Sequence, residues 1–290
     1  MTERVWTIRD ALGWTTDYFT RKQVPEPRRS SEWLLSAATG LSRVELYAFH
    51  DRPLSPEERA RFREGIERRA AGEPLQYVTG EMPFRHLVLR VRPGVFIPRP
   101  ETEVLVDVAL AALPAGHETI AIDLCTGSGA VAVSLALENP WAVVYASDLN
   151  PLAVETTWDN AARAGVGGRV NVFEGDLFSP LPEELKGRVP LIAANPPYIP
   201  SADIPTLPAE VLGFEPRLAL DGGHDGLETA RHIVAEAPEW LAPGGMLAME
   251  LDETRVAGMA REMEAARWRD VSVTRDLTGR ERVVSGRRPG

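Results

Sequence analysis

The chain has 290 residues, 44% of them hydrophobic, and a formal net charge of −10. No apolar run approaches the roughly 20 residues that a membrane span requires. The charged residues among the first ten do not read as a signal peptide, and a single cysteine excludes an internal disulfide and any multi-cysteine metal site, so a cytoplasmic chain is expected. Residues 1–75 carry 13 Lys/Arg and 12 Asp/Glu, which places the acidic surplus downstream. That balance disfavours nucleic acid as the main ligand, because nonspecific binding needs a basic face.

Residues 1–75 read as a small helical bundle. Apolar residues recur at helical spacing in Val5, Ile8 and Leu12, and again in Trp33, Leu34, Ala37 and Ala38, with Gly40 as a stop. Ser42 starts a short helix. Ser55-Pro56-Glu57-Glu58 is a strong helix start: a capping serine, proline at the first helical position and acid in the first turn. Residues 76–100 change character. Leu87, Leu89 and Val91 alternate with polar positions, Pro93-Gly94 reads as a turn, and Val95, Phe96 and Ile97 as a second short strand, so a hairpin linker is expected.

From residue 101 to 290 strands and helices alternate. Strands are expected at 119–124, 142–147, 170–173, 190–194 and 246–251, with helices at 101–113, 128–138, 151–164, 227–241 and 254–266, and closing strands near 271–275 and 282–285. Repeated βα units predict a Rossmann-like α/β fold: a mostly parallel sheet with helices on both faces and an antiparallel C-terminal strand.

Three strand ends suggest a nucleoside site. Asp123-Leu-Cys-Thr-Gly-Ser-Gly129 follows one strand and opens a helix, so its glycines allow close backbone approach to a ligand. The next strand ends in Asp148, where an acid can hold ribose hydroxyls, and the third leads to Asp176-Leu177 at the same edge. The loop lacks the full G-x-G-x-x-G dinucleotide fingerprint, and neither a hydride-transfer residue nor a second mononucleotide half is apparent. S-adenosylmethionine therefore suits the site better than NAD.

The fourth strand ends in Asn195-Pro196-Pro197-Tyr198. Two prolines stiffen the backbone and leave their carbonyls as acceptors beside the Asn side chain. An amino group could donate one hydrogen to the Asn195 side-chain oxygen and one to the Pro196 carbonyl, with Tyr198 packed on the planar group that carries it. Arg99 and Glu101, next to Pro98 and Pro100, read as a charge pair that caps a helix. Cys125 reads as packing, and the five histidines show no metal spacing.

Taken together these motifs resemble the release-factor glutamine methyltransferases, the HemK/PrmC family. The resemblance spans nearly the whole chain: Pro74-Leu-Gln-Tyr77 with Gly80, Phe96-Ile-Pro-Arg-Pro-Glu-Thr-Glu103, the Asp123–Gly129 loop, Asn195-Pro-Pro-Tyr-Ile199, Glu215-Pro-Arg-Leu-Ala-Leu-Asp-Gly-Gly223 with Asp225-Gly226, Pro243-Gly-Gly245, and Asp276-Leu277, Gly279-Arg280 and Arg282-Val-Val284. It implies methyl transfer from S-adenosyl-L-methionine to the side-chain amide nitrogen of the glutamine in the Gly-Gly-Gln motif of peptide-chain release factors. The runner-up is an amino-methyltransferase acting on nucleic acid or another protein.

Carried over by position, Cys125, Thr126, Gly127, Ser128, Gly129 and Asp148 would hold the methionine and ribose parts of the cofactor. Asp176 and Leu177 would lie by its adenine, with Asn195 adjoining the cofactor as well. Asn195, Pro196, Pro197 and Tyr198 would hold the substrate amide, with Asn195, Pro196 and Tyr198 at the chemistry. No metal and no membrane or direct nucleic-acid partner is expected. Residues 1–75 would recognise a release factor, and the enzyme would act as a monomer. The chain departs from the family in two places: Cys125 stands where glycine is usual, and Glu250-Leu-Asp-Glu-Thr-Arg255 lacks the usual glycine and glutamine.

Overall fold

The computed structural model describes residues 5–290. Two compact units emerge: one runs through Glu81 and includes Pro208–Phe214, and the other comprises Met82–Leu207 and Glu215–Gly290.

The first unit is helical: α1 (Ile8–Arg21), α2 (Pro27–Thr39), α3 (Arg43–Ala48), α4 (Pro56–Ala70) and α5 (Leu75–Thr79), together with the later-numbered α9 (Ala209–Phe214). Sequence-local capping fixes where three of them start. Thr7 with Asp10, Ser42 with Glu45 and Ser55 with Glu58 each form a reciprocal capping box, which satisfies backbone N–H groups that a helix start leaves without partners. α2 ends at Gly40 in the left-handed conformation. The apolar stripes of these helices meet in one core around Ile8, Phe19, Leu35 and Leu46. At the surface of the helical unit, under exposed partners, is a buried carboxylate, Glu32. Burial acts to raise its pKa, but hydrogen bonds from Tyr47, Arg28 and Arg43 hold it below the usual range.

The second unit begins with a hairpin, β1 (Glu81–Phe84) and β2 (Leu87–Arg90). The hairpin's turn lies at Arg85-His86; Pro93-Gly94 do form the expected turn, closed by the Val95 N–H donating to the Arg92 carbonyl, but Val95–Ile97 form no strand. Val95 and Ile97 are nonetheless fully buried. Their apolar character belongs to a packed, extended approach to Pro98 and Pro100, where the prolines supply no N–H for a ladder.

Then come α6 (Thr102–Ala112), β3 (Thr119–Leu124), α7 (Ala130–Glu138), β4 (Ala142–Asp148), α8 (Pro151–Arg163), β5 (Val170–Glu174) and β6 (Val189–Ala194). After α9 of the first unit follow α10 (Glu228–Trp240), β7 (Leu241–Glu250), α11 (Val256–Ala265), β8 (Arg269–Arg275) and β9 (Glu281–Arg287). The seven strands of the main sheet are ordered β5-β4-β3-β6-β7-β9-β8. Pairings from β5 through β7 are parallel, and β9 runs antiparallel to both its neighbours. This is the expected mostly parallel sheet with an antiparallel C-terminal strand.

β3, β6 and the inner part of β7 are buried along nearly their whole length, which is why they read as continuous apolar runs rather than alternating ones. The sheet separates two cores. One packs α6 and α7 through Leu105, Val133 and Leu135; the other packs α10 and α11 through Ile233, Trp240, Met259 and Met263. Fully burying each aliphatic side chain contributes about 1.5–3 kcal/mol. The chain moves outward from β3 through β4 to β5, then returns to the other side of β3 to place β6. That reversal makes the boundary between β3 and β6 a topological switch point, the place where ligands bind in open α/β sheets.

Candidate active site

The residues singled out in the sequence gather at the carboxyl edge of this sheet. Leu124, the last residue of β3, is paired with Ser147 of β4 on one side and Ala194 of β6 on the other, and Ala194 is paired with Met249 of β7. The loops after these strands therefore leave the sheet side by side.

The loop after β3 is held from behind. Asp123, fully buried at the end of the strand, accepts hydrogen bonds from the Thr126 hydroxyl at 2.6 Å and the Ala132 N–H at 3.1 Å. Burial pushes its pKa up to about 7 despite those two bonds, with nearby Asp148 adding to the rise. α8 secures the other side: the Thr157 hydroxyl donates to the Gly127 carbonyl at 3.1 Å, and the Asn160 side chain to the Ser128 carbonyl at 2.8 Å.

Asp148 closes the loop from the neighbouring strand. One carboxylate oxygen accepts the Gly127 N–H at 2.9 Å and the other the Asn150 N–H at 2.9 Å. Burial raises its pKa against those two bonds. The space a Cβ would take at Gly127 is open, and the buried Ser128 hydroxyl has no hydrogen-bond partner.

Cys125 adopts a left-handed backbone, φ 58°. An L side chain is disfavoured there, which gives a physical reason for the glycine usual at this place in the resembling family. Burial and the charges of Asp148, Asp123 and Asp176 push its thiol well above the ordinary value, which favours the neutral thiol over the nucleophilic thiolate. The same electrostatics bring Asp176 into this neighbourhood. Leu177 joins through its carbonyl, which accepts the Ser147 hydroxyl at 2.7 Å.

The loop after β6 is built differently. The Asn195 side-chain nitrogen donates to the Thr102 hydroxyl oxygen at 3.2 Å, so its side-chain oxygen is the atom turned away from Thr102. Tyr198 packs on the core beside β6 and β7. Its hydroxyl is raised by burial and by the neighbouring Glu250, so it stays protonated.

A second segment clamps this loop. Ile199 N–H donates to the Leu220 carbonyl, Gly222 N–H to the Ile199 carbonyl and Ser201 N–H to the Gly223 carbonyl, at 2.8–2.9 Å. The approach is close enough that a Cβ at Gly222 would lie 2.7 Å from the Pro197 carbonyl oxygen, and one at Gly226 2.3 Å from that of Tyr198. Arg99 does not pair with Glu101. Its guanidinium lies over the Phe96 ring at 4.7 Å and reaches the buried Glu215 at 2.5 Å, which ties the start of the clamp to the segment before α6.

Three residues beside these loops were missed in the sequence: Asp123, which braces the glycine loop, Thr102, which accepts from Asn195, and Glu250, which neighbours Thr102. Asp123 and Glu250 share a visible signal, a carboxylate at the end of an otherwise apolar strand.

An open seven-stranded sheet of this order, with a glycine loop after β3, an acid ending β4 and an Asn-Pro-Pro-Tyr loop after β6, defines a class I methyltransferase. The donor set fits the nucleoside and amino-acid parts of S-adenosylmethionine, the methyl donor of this class. The open space at Gly127 admits a ligand against the backbone, and the Asp148 carboxylate offers acceptors for hydroxyls.

Comparison with known proteins narrows the class. Residues 10–80 match the family model "PrmC N-terminal domain" and residues 87–207 the model "Methyltransferase small domain". The release factor glutamine methyltransferase of Geobacter sulfurreducens is 46% identical over 289 residues, 99% of each chain. That of Moorella thermoacetica is 43% identical over 281 residues, 95% of this chain and 96% of its own. Among solved structures, a ribosomal protein L11 methylase from Lactobacillus delbrueckii subsp. bulgaricus shares the fold, with a TM-score of 0.50 and 17% identity, over 70% of this chain and 86% of its own. The chain belongs to the release factor glutamine methyltransferase family. Among the described residues, no helix is long and apolar enough to cross a membrane.

Proposed function

We propose that this enzyme methylates the side-chain amide nitrogen of the glutamine in the Gly-Gly-Gln motif of peptide-chain release factors. The observation that carries the reading is the orientation of Asn195. With its nitrogen engaged by Thr102, its oxygen is the group left to accept a hydrogen bond, as a substrate amide N–H requires.

An amide nitrogen is a poor nucleophile because its lone pair is delocalised into the carbonyl. S-adenosylmethionine would supply, when bound, an electrophilic sulfonium methyl whose leaving group, a neutral thioether, needs no acid to depart. The chain's part is alignment. Cys125–Gly129 and Asp148 would hold the donor, and Asp176 and Leu177 would lie on its adenine side. The Asn195 oxygen and the Pro196 carbonyl accept the two amide hydrogens and favour charge developing on nitrogen. Pro197 stiffens the loop, and Tyr198 gives the amide plane a fixed wall. The protonated Tyr198 hydroxyl does not serve as a base; formation of the N–C bond makes the nitrogen strongly acidic, and its proton passes to water with or after the transfer.

The helical unit is the part we assign to holding the protein substrate. Val44, Tyr47 and Phe49, on and just after α3, are 48–77% exposed, and such side chains suit a protein surface. The test is methyl transfer from labelled S-adenosylmethionine to a purified release factor, followed by mass mapping. A label on the Gly-Gly-Gln glutamine is expected. A label on nucleic acid only, or on a different side chain, rejects the reading.

A further inference from the structure

Behind Asn195 lies a buried pair of side chains that the transfer chemistry does not touch. Thr102, the first residue of α6, and Glu250, the last residue of β7, are 3% and 1% exposed. The Thr102 hydroxyl accepts from the Asn195 nitrogen at 3.2 Å and is hydrogen-bonded to the Glu250 carboxyl. The second Glu250 oxygen, Oε2, has no hydrogen-bond partner. Arg282, the nearby cation on β9, reaches Asp276 at 3.4 Å and Asp252 at 3.9 Å. A carboxylate so buried, with one oxygen unpartnered, carries a desolvation cost that its remaining partners offset only in part.

We infer that Glu250 and Thr102 are positioning residues that set which end of the Asn195 amide faces the substrate. The inference rests on the reading that Asn195 holds the substrate amide. A threonine hydroxyl has a single proton to give. With Glu250 ionised, that proton goes to the carboxylate, and the hydroxyl oxygen can only accept from Asn195. The Asn nitrogen then points back and its oxygen forward. If Glu250 carries a proton it can donate to Thr102, whose own proton turns toward Asn195. The Asn amide is then stabilised with its oxygen back and its NH2 forward, donor against the donors of the substrate. The charge on Glu250 is thereby read out two hydrogen bonds away as the polarity of the site.

The charged and titratable groups around Glu250 are Glu101 at the start of α6, Arg99 before it, Tyr198 after β6, Asp252 beyond β7 and Arg282 on β9. Burial pushes Glu250 up to about 7, against the Thr102 hydrogen bond and the Arg282 charge. The relay therefore switches near neutral pH. Turnover should fall as the pH drops through this region, because the protonated form turns the Asn amide the wrong way.

The experiment is single-turnover methylation of intact release factor, from pH 5.5 to 9, by wild type and by the Glu250→Gln, Thr102→Val, Thr102→Ser and Asn195→Ala enzymes, each checked for folding by circular dichroism. Glu250→Gln keeps the shape but removes the charge that fixes the Thr102 proton, so the amide oxygen and the NH2 compete for Thr102. It should lower the maximal rate by about 10- to 100-fold, as misplacing one donor or acceptor at a reacting centre does. Its KM should be near that of wild type, and the acid limb of the profile should be lost. Thr102→Val should show a similar loss, and Thr102→Ser, which keeps the hydroxyl, should stay near the wild-type rate. Glu250→Gln at the wild-type rate, or slowed but with the acid limb intact, overturns the inference. Should Glu250→Gln fail to fold, Thr102→Val at the wild-type rate overturns it equally. Asn195→Ala separates the two failures. If it is slow while the Glu250 and Thr102 variants are not, only the relay is wrong; if it is as fast as wild type, the assignment of Asn195 is wrong as well.

Discussion

Replacing Gly226 by alanine should damage methyl transfer without touching the donor site. Gly226 sits at φ 79°, and a Cβ there would lie 2.3 Å from the Tyr198 carbonyl oxygen and 3.0 Å from Arg255 Nε. Real Cβ contacts essentially never fall below 3.0 Å, so the Tyr198 backbone must yield by about 0.7 Å. It has little freedom to do so, since Ile199 is bonded on both sides to the clamp segment. The left-handed φ costs an alanine about 1–2 kcal/mol. The overpacking adds about 1–3 kcal/mol. Tyr198 is three residues from Asn195 on a stiff loop, so the shift is passed to the group that aims the substrate. A misplacement of about 1 Å can cost on the order of 10²-fold in rate. The donor loop hangs from β3 and is braced by Asp123 and α8, so S-adenosylmethionine affinity should stay within about threefold, under 1 kcal/mol. Thermal unfolding, titration calorimetry and single-turnover transfer measure the three quantities. Gly168→Ala is the control, because nothing lies within 4 Å of a Cβ there. A folded Gly226→Ala enzyme that transfers at the wild-type rate would refute the view that the clamp sets the geometry of the substrate loop.

Two further outcomes follow from the donor side. Asp148→Ala should weaken S-adenosylmethionine binding by about 1–3 kcal/mol, the usual loss when a charged hydrogen-bond partner is removed; a dissociation constant equal to wild type, by calorimetry, would remove Asp148 from the ribose site. Asp123 has a folded-state pKa raised from 3.8 to about 7, so between these values the folded protein binds more protons than the unfolded chain. Its contribution to stability is therefore greatest at low pH and is lost as pH rises toward 7. Urea unfolding of wild type and Asp123→Asn at pH 5 and pH 7.5 should show the variant gaining relative to wild type at the higher pH, and a difference independent of pH would contradict the burial assigned to this carboxyl.

Much of the sheet was legible because its strands announce themselves. Thr119–Leu124 is apolar on both faces and ends at a loop with two glycines, and its observed limits match the expectation. β4 and β6 were read nearly as well, since each ends in a polar group at the ligand edge. The hairpin was misplaced for an equally physical reason. Its turn, Arg85-His86, carries no Asn-Gly or Asp-Gly signal, yet Arg85 adopts φ 50° and holds it through ion pairs to Glu138 and Asp107. Those partners lie 53 and 22 residues away, beyond any local pattern. The glycine loop and the Asn-Pro-Pro-Tyr loop were readable as motifs, because chemistry on a backbone demands special residues. Their supports were not. Thr102 backs Asn195 from 93 residues earlier, and Arg99 meets Glu215 across 116 residues. Each is an ordinary residue made significant only by the fold.

The reversal of strand order at β3 and β6 divides the chain's labour. Apart from Asn195, which adjoins both reactants, every side chain assigned to the methyl donor precedes residue 178, and those assigned to the acceptor amide come from residue 195 onward, with Thr102 and Glu250 behind them. Donor and acceptor are thus written in consecutive stretches of the polypeptide and meet along one pair of neighbouring strands. Such an arrangement is modular. The acceptor stretch can be rewritten by substitution, insertion or recombination to accommodate a different nitrogen while the donor stretch is inherited intact. The β3–β6 pair then has the narrowest latitude for change, because it alone must satisfy both reactants.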